Sequence, residues 1–201
     1  PGQYLPSLRG SRLDTVSLLN LGTHTPGGFP LQVPDDITND AQLMAYFRDW
    51  KPTYAPGTYR TYANPSIGLL GMIAAKSLHA DFVRLMEGML FPGLGLKHTY
   101  LRVPQSETDN YAQGYTKTGT PIRMAPGMLS AEAYGIRTTA GDMLRFVAAN
   151  MGVGSIDPTL RQAIADTHVG YYRIGPMTQD LIWEQYDYPV TLKELRDGNA
   201  G

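Results

Sequence analysis

Tyr62, Ala63 and Asn64 stand immediately before Pro65 and an apolar run, in the stretch "GTYRTYANPSIGLLGMIAAKSL" over residues 57–78. A phenol that faces a cationic lysine has its pKa pulled below the ordinary value of ~10, because the positive charge favours the phenolate. Such a group can take a proton from a serine hydroxyl and later return it to a departing nitrogen. An asparagine two residues further on, held at a helix start, can orient an amide through its carboxamide. The same residues also have a purely structural explanation. Asn-Pro before an apolar run is a helix cap, worth ~1 kcal/mol relative to Ala. Tyr62 could fill a core with its hydroxyl satisfied. On these residues alone the structural explanation is the stronger one.

Few other side chains compete. The positions three before Lys51, Lys76, Lys97, Lys117 and Lys193 are Arg48, Ile73, Leu94, Gly114 and Val190, so the chain holds no Ser-x-x-Lys. His24, His79, His98 and His168 are too dispersed for a metal motif, and most of them read as surface or partly buried side chains. Asp35 and Asp36 read as solvated loop residues. Cysteine is absent, which removes disulfides and thiolate metal sites without choosing a compartment.

The elements that must hold these residues follow from periodicity and caps. A short helix is expected over Asp14–Leu21 with Asp14 as its cap. "THTPGGFPLQVPDD" is a long Pro/Gly-rich loop, and Asn39–Trp50 is helical, with Leu43, Phe47 and Trp50 on one face. Asn64 caps a helix to about Ser77, and Asp81 begins another that Pro92 and two glycines end. Asn110–Met124 suggests a hairpin with Thr-Gly-Thr near its turn. After an extended loop, Gly141–Met151 and Asp157–His168 are amphipathic helices, and "QDLIWEQYDYPVT" reads as a strand passing into a loop.

With 201 residues there is enough chain for one sizeable core or two small ones. Hydrophobic residues make up 42% and charged residues 17%, which excludes disorder. The 17 basic and 18 acidic residues are scattered, giving a net charge of −1, so neither nucleic acid nor an acidic membrane face is an expected partner. No apolar stretch approaches the ~20 residues of a membrane helix. The first residues, Pro1-Gly2-Gln3-Tyr4, carry no initiator Met or signal peptide, and "RDGNAG" at Arg196–Gly201 has a loop composition.

Longer segments carry more. "GGFPLQVPDD", "YAPGTYRTYANPSIGLLG", "LFPGLGLKHTYLRVP", "NYAQGY", "AEAYGIRTTAGDMLRFVAANM" and "MTQDLIWEQYDYPVT" occur in this order. Together they resemble the interior of a class C serine β-lactamase, over essentially the whole chain. The resemblance implies an α+β fold, mainly helical here: residues 1–201 would be the helical domain of the serine β-lactamase/penicillin-binding-protein-like fold, with a small hairpin and the edge of the α/β domain. It implies that Tyr62 is the general base and acid, and that Asn64 binds the substrate's side-chain amide. Gln32 and Tyr134 would line the substrate site, with Arg60 as a structural or electrostatic support. The substrate would be a small β-lactam, opened through a serine acyl-enzyme, by a periplasmic monomer that needs no cofactor or metal.

The resemblance also sets out what is lacking. The nucleophile and its lysine are expected upstream of Pro1, and the family's Lys-Thr-Gly strand beyond Gly201. Lys117-Thr118-Gly119 has those letters but follows Tyr62 too closely, and a hairpin turn explains it. Where the family has Gly-Asp-Met-Thr-Gln-Gly-Leu-Gly-Trp-Glu, residues 175–184 place Asp180 and Ile182 on two of the glycines, which strains the backbone if either position needs a positive φ. The 201 residues alone are expected to be inactive. The alternatives are a serine esterase or D-alanyl-D-alanine peptidase of the same superfamily, and a non-catalytic fragment.

Overall fold

The computed structural model describes residues 1–123 and 125–193; the "RDGNAG" stretch lies outside the described residues. Two 3₁₀ turns, Pro6–Leu8 and Arg12–Thr15, place Leu8 and Leu13 in the interior. The first α-helix starts later than expected. α1 spans Leu18–Gly22, and Ser17 caps it in a reciprocal capping box with Asn20. Asp14 is not the cap: its carboxylate accepts the backbone N–H groups of Gly2 and Gly10. The extended backbone at Val16 and Ser17 separates Asp14 from the helix.

α2 spans Asp40–Asp49, and the Asn39 side chain caps it by accepting the Gln42 N–H. α3 spans Asn64–Ser77 and differs from expectation at its start. Ala63 holds the N-cap position with an extended backbone, and no side chain caps this end. Asn64 is already helical, and its own N–H donates to the Leu31 carbonyl oxygen at 3.0 Å. The carboxamide therefore projects from the first turn instead of closing it.

Asp81 caps α4 (Phe82–Leu85) by accepting the Arg84 N–H. The helix then runs through a π turn, Met86–Leu90, into α5 (Phe91–Gly93), and it ends in the expected stretch, at the first glycine after Pro92. The wider turn puts the Phe91 N–H on the Met86 carbonyl oxygen. A proline next in line lacks an N–H and would crowd the carbonyl four residues back, and the π turn accommodates both.

The expected hairpin is present: β1 (Gly114–Tyr115) pairs antiparallel with β2 (Pro121–Ile122). Gly119 has φ +82° and Lys117-Thr118-Gly119 forms the exposed turn. After α6 (Ser130–Ala133) come α7 (Ala140–Asn150), capped by Thr139, and α8 (Pro158–Thr167), capped by Asp157. The expected single late strand is instead a three-stranded antiparallel meander. β3 (Tyr172–Ile174) pairs with β4 (Met177–Gln179), and β4 with β5 (Glu184–Tyr186), in the register Ile174↔Met177 and Gln179↔Glu184.

Two apolar clusters hold these elements. Leu8, Leu13, Leu21, Phe29, Leu43, Phe47, Leu69 and Ile73 join α1, α2 and α3 to the N-terminal turns. Val83, Phe91, Leu94, Leu96, Leu101 and Ala149 join the α4–α5 region to α7, with Leu160 and Ile164 of α8 packed on them. α3 and α6 lie close because α3 offers glycine where they meet: a Cβ at Gly68 would stand 2.6 Å from Leu129 Cβ. That close approach sets Ala133 beside the start of α3. Among the described residues no single helix is long and apolar enough to cross a membrane.

Candidate active site

The Pro/Gly-rich loop after α1 lies along the segment that leads into α3, and backbone bonds tie the two. Gly57 N–H donates to Thr25 O at 2.8 Å, Thr61 N–H to His24 O at 2.8 Å, and Asn64 N–H to Leu31 O at 3.0 Å. At the start of α3 the buried Ser66 hydroxyl donates to Leu21 O at 2.8 Å, fixing the helix on the end of α1. Tyr62 and Asn64 are thus held between two loops and a buried helix start.

Both open on one cleft of about 280 Å³, lined also by His24, Ile67, Ala133, Ile182, Trp183 and Glu184. The sequence-derived residues divide around it. Tyr62 and Asn64 are half-buried walls of the cleft. Gln32 is exposed and follows Leu31, the residue whose carbonyl holds Asn64. Tyr134 ends α6 next to Ala133, with its N–H on Ser130 O. Neither Gln32 nor Tyr134 lines the cleft itself.

Arg60 lies inside the protein. Its side chain is 1% exposed, with Nε on Gln179 Oε1 at 2.7 Å and an Nη on Glu184 Oε1 at 2.6 Å. Its guanidinium carbon sits 5.9 Å from the Tyr62 ring centroid. Its two side-chain hydrogen bonds thus go to β4 and β5, while its charge lies near the Tyr62 ring.

His24 is the residue that the sequence did not single out. Among four histidines expected mostly at or near the surface, it is the buried one, with only 2% of the residue exposed. Its ring lies on Tyr62 with centroids 4.6 Å apart and planes at 37°, and its Nδ1 accepts the Ala63 N–H at 3.2 Å. Burial first, and the Arg60 charge second, push the imidazole down to a pKa of about 4, so it is neutral near pH 7. The only trace in the sequence is a His just before Pro26-Gly27-Gly28, which carries no periodicity.

The turn between β4 and β5 was missed for a different reason. Ile182 and Trp183 reach the cleft because the turn is held at its base, with Ile182 N–H donating to Gly22 O at 3.1 Å and Leu181 N–H to Thr167 O at 3.2 Å. Ile182 has φ +75°, so one of the two glycine replacements does occupy a left-handed position, and a β-branched one. Asp180 does not. It is buried, its Oδ1 has no hydrogen-bond partner, and burial pushes its carboxyl up. Among the described residues no group of three or more metal-ligating side chains occurs.

A half-buried tyrosine and an asparagine at the start of a helix, backed by a buried arginine and set in a helix-rich body with a small antiparallel sheet, can bind an amide and move a proton beside it. The chain belongs to the β-lactamase family: the family model described as Beta-lactamase matches residues 2–201. The β-lactamase of Lysobacter lactamgenus is 55% identical over 200 residues, which is 100% of this chain and 52% of the relative. A solved β-lactamase/D-alanine carboxypeptidase from Pseudomonas syringae superposes with a TM-score of 0.94 at 52% identity, covering 100% of this chain and 56% of that one. A class C β-lactamase solved in complex with cefoxitin gives a TM-score of 0.94 at 50% identity, over 98% of this chain and 55% of that one. The α+β, mainly helical expectation agrees with these neighbours. The chain spans about half the length of the curated relatives it matches.

Proposed function

We propose that the protein carrying this chain is a class C β-lactamase that opens β-lactam antibiotics through a serine acyl-enzyme and so confers resistance. The observation that carries this reading is the joint placement of Tyr62 and Asn64 on one cleft wall at the start of α3. Tyr62 takes the proton of a serine hydroxyl supplied outside these 201 residues as its oxygen attacks the lactam carbonyl. The ring C–N bond breaks, and the same phenol returns the proton to the nitrogen. Asn64, whose side chain caps nothing, presents its carboxamide to the amide of the antibiotic's side chain. Gln32 and Tyr134 border the substrate further out, and Arg60 supplies a fixed positive charge behind the Tyr62 ring. The 201 residues alone hold no Ser-x-x-Lys and are inactive in this reading. The protein is a periplasmic monomer with no cofactor, and its balanced charge suits a small-molecule substrate.

A second reading has its own support: the Pseudomonas syringae neighbour bears the name of a D-alanine carboxypeptidase as well. Tyrosine-assisted acylation serves an acyl-D-alanyl-D-alanine as well as a lactam, and the two differ in how fast water attacks the acyl-enzyme. Steady-state hydrolysis of a chromogenic cephalosporin, set against D-alanine release from a diacetyl-lysyl-D-alanyl-D-alanine peptide, separates them. Lactam turnover with little D-alanine release is the expected result; the reverse ratio assigns the peptidase. In the same assay Tyr62→Phe should lower acylation by about 10²- to 10⁴-fold. Near-normal turnover in Tyr62→Phe would remove Tyr62 from the proton-transfer role.

A further inference from the structure

His24 touches three consecutive residues around Tyr62. Its carbonyl oxygen accepts the Thr61 N–H at 2.8 Å, its ring lies on the Tyr62 ring at 4.6 Å, and its Nδ1 accepts the Ala63 N–H at 3.2 Å. From these contacts we infer that His24 is a positioning residue for Tyr62, fixing the pitch and height of the phenol in the cleft. The inference rests on the reading of Tyr62 as the proton-transfer group.

The local geometry shows why a histidine serves here. The backbone at residue 24 has φ +57°, a left-handed conformation in which His, Asn and Asp are enriched among side-chain-bearing residues. The conformation turns the carbonyl toward Thr61 while the side chain reaches Ala63, so one residue grips the neighbouring segment twice. Phe or Leu would fill the volume but offer no acceptor to the Ala63 N–H, leaving a buried donor unpaired.

Accepting that N–H requires a lone pair on Nδ1, which places the imidazole proton on Nε2. His24 helps to line the cleft on which Tyr62 and Asn64 open. Protonation of the ring would set an N–H against the Ala63 N–H and loosen the grip. Proton transfer is steep in geometry, and a displacement of about 1 Å can cost on the order of 10²-fold in rate. A residue that fixes Tyr62 from its face and from the next peptide acts on kcat through that geometry.

The test uses the enzyme that carries this chain, with His24→Phe, His24→Asn and Tyr62→Phe. Phe keeps the ring and loses the acceptor; Asn tolerates the left-handed backbone and restores an acceptor through its carboxamide oxygen. Two readouts are taken well below each variant's melting temperature: steady-state kcat and KM for a chromogenic cephalosporin, and the ¹³C ring chemical shifts of Tyr62 at one fixed pH. The expected result for His24→Phe is a fall in kcat on the order of 10- to 100-fold with KM little changed. Its Tyr62 ring shifts should move, because the ring leaves its present position. His24→Asn should recover part of the loss in kcat. A residue that only fills space would lower the melting temperature and leave kcat unchanged. Unchanged kcat and unchanged Tyr62 ring shifts in His24→Phe would overturn the inference. Should Tyr62→Phe itself keep full turnover, the proton-transfer reading falls. Rescue of the Tyr62 ring shifts in His24→Asn then decides alone whether His24 positions the ring: rescue upholds the positioning and its absence overturns it.

Discussion

Asn64 and His24 show how far single residues can be read from their letters. Asn-Pro before an apolar run is the same pattern as Asp157-Pro158, where the Asp157 side chain does cap, accepting the Thr159 and Leu160 N–H groups. At α3 the helix starts one residue earlier, so Asn64 lies inside it and its carboxamide is free of capping. The two roles that the sequence assigns to Asn64 therefore come apart. Asn64→Ala should leave unfolding free energy within about 0.5 kcal/mol of the parent in urea titrations. It should raise KM for cephalosporins with an amide side chain; a loss of stability near 1 kcal/mol with unchanged KM would return Asn64 to the role of a cap. His24 makes a second prediction through linkage. Its imidazole is held at about 4, below the ordinary 6.5, so the unfolded chain binds this proton more readily. The stability it carries is present above pH 6.5 and is lost as pH falls through 6.5 toward 4. The loss amounts to at most ~3 kcal/mol. Asp180 and Glu132, whose carboxyls burial pushes up, act in the opposite sense, so the measurement is a difference between parent and variant. Urea midpoints between pH 7 and 4 should fall less steeply in His24→Asn than in the parent; parallel curves would mean that His24 titrates freely in the fold.

At the scale of elements, legibility followed the length and locality of the signal. α2, α7 and α8 each carry several turns of apolar spacing and a side-chain cap within three residues, so local sequence describes them. The strands β3, β4 and β5 have three residues each, too few for alternation to register, and their pairing depends on the turn at Gly175 and on docking against α1 and α8. The strand expected in residues 179–191 is therefore β5, while β3 and nearly all of β4 go unannounced. The Asp180–Trp183 turn was legible in part, because the glycine pattern flagged a backbone requirement that Ile182 meets at φ +75°. A β-branched residue there is strained by on the order of 1–3 kcal/mol, against which glycine's greater freedom in the unfolded chain takes back ~0.5–1 kcal/mol. Ile182→Gly should therefore stabilise the protein by about 1 kcal/mol, seen as a raised melting temperature. Because the half-exposed Ile182 side chain borders the cleft with Tyr62 and Asn64, the variant should also accept bulkier β-lactams at lower KM. A lowered melting temperature would show that the side chain's contacts outweigh the strain.

Across the whole molecule, what joins residues more than a hundred positions apart is the feature that local sequence could not disclose. Arg60 was identified as a support beside Tyr62, but its partners Gln179 and Glu184 lie 119 and 124 residues away, and no spacing rule connects them. The arginine leaves water only because both partners meet it. Gln179 is fully buried and donates onward from Nε2 to the Trp183 carbonyl at 2.8 Å, so the cation, the amide and the β4–β5 turn form one connected network. Glu184 keeps 20% of its side chain in solvent, which lowers the cost of losing the cation compared with a sealed pair. Removing Arg60 leaves a buried amide oxygen without a donor and a carboxylate without its counter-charge, a loss of about 3 kcal/mol. Glu184→Gln leaves Arg60 a neutral acceptor and should cost about 1 kcal/mol. Urea unfolding of Arg60→Met, Glu184→Gln and the double variant forms a cycle that isolates the pair. With Arg60 replaced, Glu184→Gln should be nearly neutral, because the carboxylate has already lost its partner. The same network carries the meander to the wall behind Tyr62, so Arg60→Met should also lower kcat per folded molecule. If Arg60→Met unfolds within about 1 kcal/mol of the parent, β4 and β5 are held in place by the apolar clusters and the turn, and the arginine contributes only its charge to Tyr62.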